Sequence, residues 1–226
     1  MLELRIALPT DLPGAVEAWR AAQAGRGLRP PATRVARVQA KVTEGLLVVA
    51  VDDETVVGMA QSEPGREKDG AGEVRPGLLH LSMVFVRPEV QRRGIGAALV
   101  EGLADLAWER GFRSVSVWSR TPVFYLACGL ERSGRVQVLA DGSTAEQLVA
   151  ELEPPVRDVV VHADGLRLGQ LLKLAALVET GAEGKLLLTA GQVQVNGEVE
   201  LRRGRQLVVG DVIQARDQAV RIAPPS

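Results

Sequence analysis

The chain has 226 residues, 46% hydrophobic and 24% charged, with 27 Lys+Arg against 28 Asp+Glu and a net charge of −1. This composition suits a globular protein of one or two domains and excludes a disordered chain or a polycation. A single cysteine, Cys128, excludes an internal disulfide, and with only two histidines no zinc-type ligand cluster or other metal site is expected. The start MLELRIALPT lacks the basic and apolar regions of a signal peptide, and no apolar run approaches the roughly 20 residues of a bilayer span. A soluble, cytoplasmic protein without a membrane partner is expected.

In chain order, ELRIAL reads as a strand, and Thr10 and Asp11 can cap a helix LPGAVEAWRAAQ, where Pro13 sits in the first turn. TRVARVQAKV reads as a second helix, followed by strands GLLVVAV and TVVGMAQS joined by the acidic turn DDE. EPGREKDGAGEVRPG is polar and glycine-rich, and a mobile surface loop is expected there. LLHLSMVFV is a strand, GIGAALVEGLADLAWER an amphipathic helix ended by Gly111, RSVSVWS a strand, and PVFYLAC a short helix stopped by Gly129. LERSGRVQV fits one arm of a hairpin. Ser143 and Glu146 have capping-box spacing, which predicts a helix over STAEQLVAEL.

Pro154 and Pro155 then mark a boundary between a domain of residues 1–153 and a smaller one of 156–226. Residues 1–155 carry 18 basic and 20 acidic side chains, and residues 156–226 carry 9 and 8, so neither part is strongly basic. In the second part, LRLGQLLKLAALVETG predicts a helix ending near Gly181 and EGKLLLTAG one ending near Gly191. Asn196-Gly197 between two alternating runs is a strong hairpin signal, and RRGRQLVVGDVIQA adds a turn and a strand.

The segment QRRGIG (residues 91–96) lies where a strand gives way to a helix. Glycines there let backbone N–H groups converge beside the positive end of the helix dipole, which favours a phosphate or pyrophosphate; a plain turn is the alternative. It is neither a phosphate loop with Gly-Lys-Ser/Thr nor a G-x-G-x-x-G dinucleotide turn.

In context, MVFVRPEVQRRGIGAALVEGLADLAWERGFRSVSVWS followed by FYLACGLERSG resembles the GCN5-related N-acetyltransferase (GNAT) superfamily, whose Q/R-x-x-G-x-G/A signature is matched by Gln91, Gly94 and Gly96. The resemblance implies an α/β (α+β) fold with a mixed central sheet flanked by helices. It further implies that acetyl-coenzyme A binds with its pyrophosphate on the turn formed by Gln91, Arg92, Arg93, Gly94, Ile95 and Gly96. The pantetheine arm would pair with Met83, Val84, Phe85 and Val86, on a strand that splays from its neighbour.

Acetyl transfer to an amine needs a neutral amine, a polarised thioester carbonyl and a proton for the departing thiolate. The resemblance implies Tyr125, in FYLACGL, as the acid; the other reading is a core tyrosine beside Phe124. Only SRTPV separates Trp118 from Phe124, shorter than in many relatives, and the family's asparagine contact has no match. His80 and Ser82 alternate on one face of the coenzyme strand together with Val84 and Val86, so His80 is the candidate base, with a structural histidine and a water chain as alternatives. No glutamate occupies this strand. Cys128 invites a covalent route, against which stands a small buried residue before Gly129. Trp19 and Arg20 are candidates for choosing the acceptor, and Trp19 equally for the core.

Residues 165–215 resemble the RNA-binding domain named after the fourth ribosomal small-subunit protein, through the hairpin G-x-V-x-V-N-G and the later G-D-x-I. The resemblance implies binding of structured RNA, ribosomal or transfer, through Lys173, Lys185, Arg202, Arg203 and Arg205; RRGR as a solvated turn is the alternative. The segment holds no aromatic residue, so backbone and shape recognition is expected rather than base stacking. Together these readings predict an acetyl-coenzyme-A-dependent N-acetyltransferase acting on a primary amine by direct attack, with an appended RNA-binding domain. The alternatives are an RNA-binding protein with a non-catalytic coenzyme domain and a small-amine or antibiotic acetyltransferase.

Overall fold

A computed structural model describes residues 2–68, 71–161 and 165–225. The chain divides into two compact units, residues 1–153 and 154–226. No helix among the described residues is long and apolar enough to cross a membrane.

The first unit runs β1 (Glu3–Ile6), α1 (Leu12–Ala24), α2 (Ala32–Glu44), β2 (Leu46–Asp52), β3 (Thr55–Lys68), β4 (Ala71–Val86), α3 (Ile95–Glu109), β5 (Ser114–Ser119), α4 (Val123–Ala127), β6 (Glu131–Val138) and β7 (Thr144–Glu151). These strands form one sheet in the order β1-β2-β3-β4-β5-β7-β6, antiparallel except between β4 and β5. Strand alternation divides the core into two layers. Val48, Ala50, Val57, Leu79 and Leu81 pack under α3, while Leu47, Val49, Val51, Val56 and Met59 pack under α1 and α2. The α3 sequence is rich in Ala and Leu, good helix formers, and its Ile95, Leu99, Leu103 and Leu106 bury one stripe. Each such side chain contributes about 1.5–3 kcal/mol of gross burial energy.

The structure differs from the sequence expectations in several places. EPGREKDGAGEVRPG is not a loop: β3 and β4 extend through it as a long hairpin, whose residues 69–70 lie outside the described ones. STAEQLVAEL is not a helix but β7, inserted between β5 and β6. Glu146, expected to cap, accepts instead from Arg132 across the strands at 2.7 Å, and Leu148 is fully buried beneath α3. Sheet completion overrides the local cap signal. Asp11 does not cap α1; its carboxylate accepts from the Arg5 guanidinium and from Leu8 N at 2.7 Å, which fixes the turn out of β1.

The second unit contains β8 (Val156–Val160), α5 (Leu168–Leu174), α6 (Gly181–Thr189), β9 (Val193–Val195), β10 (Glu198–Val199), β11 (Val212–Ala215) and β12 (Gln218–Ala223). Its sheet has the order β10-β9-β11-β12-β8, and β8 pairs in parallel with β12; neither of these two strands was expected. The first helix stops at Leu174 rather than near Gly181. Ala176 adopts a left-handed φ of 53°, so that Leu177 and Val178 turn back into the core and Gly181 opens α6. Asn196 and Gly197 take φ of 54° and 82°, the double left-handed turn that a two-residue hairpin requires.

Candidate active site

The junction between β4 and α3 is built from backbone. After Val86 a single 3-10 turn, Pro88–Val90, leads into Gln91, whose Nε2 donates back to Val86 O at 2.9 Å. Arg92 (φ 62°) and Gly94 (φ 79°) are both left-handed, and together they swing the chain so that α3 starts at Ile95 with no side-chain cap. The first N–H groups of a helix have no intrahelical acceptor, so those of Ile95, Gly96 and Ala97 are available at its positive end. Arg92 and Arg93 are exposed beside them, while buried Ile95 pins the turn to the core. The two glycines serve different needs. A Cβ at Gly94 would meet nothing within 4 Å, so its role is conformational; a Cβ at Gly96 would come within 3.2 Å of the Phe124 ring, so its role is close approach.

Strands β4 and β5 pair only over Leu78–His80 and Ser114–Ser116. Beyond that point β4 continues to Val86 beside β3, and β5 to Ser119 beside β7, so the facing edge of Leu81–Val86 has no strand partner among the described residues. That leaves backbone donors and acceptors open to an extended ligand arm, ending at the phosphate-favouring turn. A cavity of about 630 Å³ lies between α3, the end of α4 and the base of this parting. Its walls are largely apolar and its rim carries Glu101, Glu151 and Glu153, which suits neither phosphate nor any other anion. The turn, with its free N–H groups and two arginines, is better suited to an anion than this cavity is.

A β-bulge at Ser82 changes what β4 presents. Gln61 pairs with Met83 but Ser62 with Leu81, so Ser82 is the extra residue and the alternation reverses across it. Val84 and Val86 consequently join Leu79 and Leu81 on the α3 side, and Met83 and Phe85 turn toward α1 and α2. The expected single face of His80, Ser82, Val84 and Val86 is thus broken at the bulge. What gathers on the α2 side is polar. His80 Nδ1 lies 3.3 Å from Ser116 Oγ, where β4 and β5 part. Glu63 of β3 sits opposite His80 in register, and its Oε1 accepts from Lys41 Nζ at 2.7 Å and from Ser82 Oγ at 2.9 Å. Burial pushes the Glu63 carboxyl up, but the hydrogen bonds from Lys41 and Ser82 and the Lys41 and His80 charges outweigh it and hold the group below its usual range. Glu63 is therefore an anion beside the histidine. The stretch Leu78–Val86 of β4 carries no glutamate, but the neighbouring strand β3 places one opposite His80. Assigning EPG to a loop hid this residue; carrying the hairpin alternation through Pro64 would have found it.

Tyr125 lies on the one-turn helix α4, edge-on to Phe124 at 4.9 Å and packed against the α3 core. Burial, helped by the Cys128 thiol and opposed by Arg26, pushes its hydroxyl up to about 12, so it holds its proton at neutral pH. Burial also raises the Cys128 thiol, which makes it a poor nucleophile. Trp19 is 1% exposed in the core, whereas Arg20 is exposed and paired with Glu17 at 3.5 Å. Arg26, from the loop after α1, lies 5.9 Å over the Phe85 ring and so reaches the β4 side of this site.

In the second unit, Lys173 on α5 and Lys185 on α6 are exposed. Arg202 and Arg205 both hold the buried Glu200, at 2.8 and 3.2 Å, and these hydrogen bonds, Arg202 first, bring its carboxyl down to about 2. The stem of Arg203 covers Gly169 at the start of α5, and its guanidinium lies near Gly181 at the start of α6. The hairpin residue Asn196 donates to Asp211 Oδ1 at 2.8 Å and accepts from Val212 N at 2.9 Å, while Asp211 also accepts from Val208 N at 3.0 Å.

Comparison with known proteins agrees with this geometry. The acetyltransferase (GNAT) family matches residues 15–129. The chain belongs to that family. Residues 159–223 match the S4 domain, so both resemblances seen in the sequence are borne out. The S4 part is 41% identical over 56 residues to "Probable ribosome maturation protein RlbA" of Bacillus subtilis (strain 168), covering 25% of this chain and 79% of that protein. Among solved structures, the ribosomal-protein-S18-alanine N-acetyltransferase of Escherichia coli superposes with a TM-score of 0.52 at 20% identity, over 67% of this chain and 94% of the other. The ribosomal-protein-alanine N-acetyltransferase of Brucella melitensis gives 0.52 at 22% identity, over 66% and 99%. At these identities the structures share the fold, an α/β GNAT sheet, with this acetyltransferase. The family generally uses acetyl-coenzyme A.

Proposed function

We propose that this GNAT acetyltransferase transfers the acetyl group of acetyl-coenzyme A to a primary amine by direct attack, and that its S4 unit brings it to an acceptor on the ribosome or on another structured RNA. The observation that carries the reading is the parting of β4 from β5 at His80, which ends at the uncapped, left-handed start of α3. The N–H groups of Ile95, Gly96 and Ala97, with Arg92 and Arg93, hold the pyrophosphate; the open edge of Met83–Val86 orients the pantetheine arm. When bound, the thioester supplies an electrophilic carbonyl.

His80 takes the proton that frees the amine for attack, and the Glu63 anion stabilises the imidazolium so formed. Tyr125 remains protonated and donates a hydrogen bond to the departing sulfur. Full transfer from a hydroxyl raised to about 12 to a thiolate of ordinary basicity would cost about 5 kcal/mol. The thiol proton is therefore best supplied by the attacking amine. The likeness to ribosomal-protein-alanine acetyltransferases and to RlbA favours a ribosomal protein amine as acceptor.

Titration calorimetry of the full chain with acetyl-coenzyme A, beside Gly94→Glu and Gly96→Glu, tests the proposal. Saturable binding lost in both variants supports it, and a folded wild type that does not bind sinks it. Binding without turnover on ribosomal fractions or an amine panel favours a non-catalytic coenzyme domain.

A further inference from the structure

Residues 20–41 carry Arg20, Arg26, Arg29, Arg34, Arg37 and Lys41 and no Asp or Glu, in a chain whose net charge is −1. This segment is the end of α1, the following loop and most of α2. Lys41 is committed to Glu63, and Arg20 has a 3.5 Å partner in Glu17. Arg26 rests over Phe85, which leaves its charge intact. Arg29, Arg34 and Arg37 are exposed, and none of their guanidinium groups has an ion pair or hydrogen bond among the described residues.

Positions 34, 37 and 41 share one face of α2, spread over about 10 Å of its axis. Like charges at such spacing repel and weaken a helix, so while Lys41 ties α2 to Glu63, the fold gains nothing from the charges of Arg34 and Arg37. An anionic partner would compensate it.

The rest of the face decides the kind of anion. Protein interfaces are centred on apolar and aromatic anchors. Across α1, the loop and α2, the sole large apolar side chain exposed among the described residues is Leu28. A polar, guanidinium-rich surface matches a phosphate backbone instead.

We infer that the α1–α2 face of the acetyltransferase unit is itself an RNA-backbone-binding surface, with Arg26, Arg29, Arg34 and Arg37 as its phosphate contacts. It is separate from the positions expected to bind RNA in the S4 unit. Because Arg26 sits over Phe85 of the coenzyme strand, RNA on this face lies beside the acceptor side of the site. Only that last consequence rests on the proposed function; the surface does not.

The test is fluorescence anisotropy of the full chain with a labelled RNA hairpin across a potassium chloride series. It compares wild type, Arg29→Gln/Arg34→Gln/Arg37→Gln, and Lys173→Gln/Lys185→Gln, with thermal melts to verify folding. Each lost phosphate contact flattens the plot of log K against log salt by about 0.7–0.9, so the arginine triple variant is expected to lose about 2–3 of slope. An unchanged slope in that variant overturns the inference, as does a salt dependence carried wholly by Lys173 and Lys185. Competition by polyglutamate as effective as that by unlabelled RNA also overturns it, in favour of an acidic protein. Acetyl-coenzyme A titration of the same variants reports separately on the proposed function, whose failure would leave the RNA slopes untouched.

Discussion

Alanine and asparagine at Gly94, set against alanine at Gly96, separate conformation from contact at the turn between β4 and α3. Gly94 holds a φ of 79° with open space around the missing Cβ, so alanine there meets only backbone strain. For an L-residue in the left-handed region that strain is about 1–2 kcal/mol. In a two-state unit of this size it lowers Tm by about 2–8 °C. Asparagine tolerates the same region, so Gly94→Asn should lose less than half as much. At Gly96 the new Cβ meets the Phe124 ring at 3.2 Å, but that ring is 36% exposed and can yield, so Gly96→Ala should be the milder change in stability. Both alanine variants should weaken acetyl-coenzyme A binding, one by relaxing the turn and the other by displacing Phe124. Scanning calorimetry for Tm and titration calorimetry for affinity give both quantities. Equal losses for Ala and Asn at position 94, or a larger stability loss at 96 than at 94, would refute the division of roles.

Glu63→Gln keeps the shape of the side chain and removes the anion. Turnover should fall about tenfold, below the 10²-fold or more expected for losing the base itself, and the acid limb of the kcat profile should move to lower pH because the imidazolium loses its counter-charge. An unmoved limb means that Glu63 does not act through His80. Tyr125→Phe should reduce kcat with little change in acetyl-coenzyme A affinity. Because burial raises the hydroxyl to about 12, wild-type kcat should show no tyrosine limb in the neutral range, and such a limb would contradict the assigned environment. In the S4 unit, Glu200 is depressed to about 2 by Arg202 and Arg205. Its stabilising effect is fully present above the ordinary carboxylate range near 4.3 and is lost as pH falls toward 2. The Tm difference between wild type and Glu200→Gln should therefore shrink across that interval, and a difference independent of pH would show that the charge is not what matters.

The α3 turn was legible because its chemistry is local: two arginines and two glycines at a helix start carry their own conformational demands. The Asn196-Gly197 hairpin was legible for the same reason. What escaped depends on partners distant in sequence. STAEQLVAEL has a sound local cap, yet the empty place between β5 and β6 makes it a strand. EPGREK looks like a loop until β4 pairs with it, and only then does Glu63 stand opposite His80. The bulge at Ser82 leaves no mark in the pattern LLHLSMVFV, which alternates acceptably in either parity. Lys41 could not be assigned to the site before α2 was placed against β3 and β4.

The Asn196–Asp211 hydrogen bond bears on how the RNA-binding unit can vary. The two residues that make its sequence recognisable are engaged with each other and with the backbone at Val208 and Val212, and Glu200 is similarly engaged with two arginines. The signature thus encodes a clasp that closes the small sheet, while Lys173 and Lys185 stand on helix surfaces outside it. Foldability and ligand preference are written in different letters. On the proposed reading, redirecting this unit to another RNA is a matter of repainting α5 and α6, with the clasp left as it is.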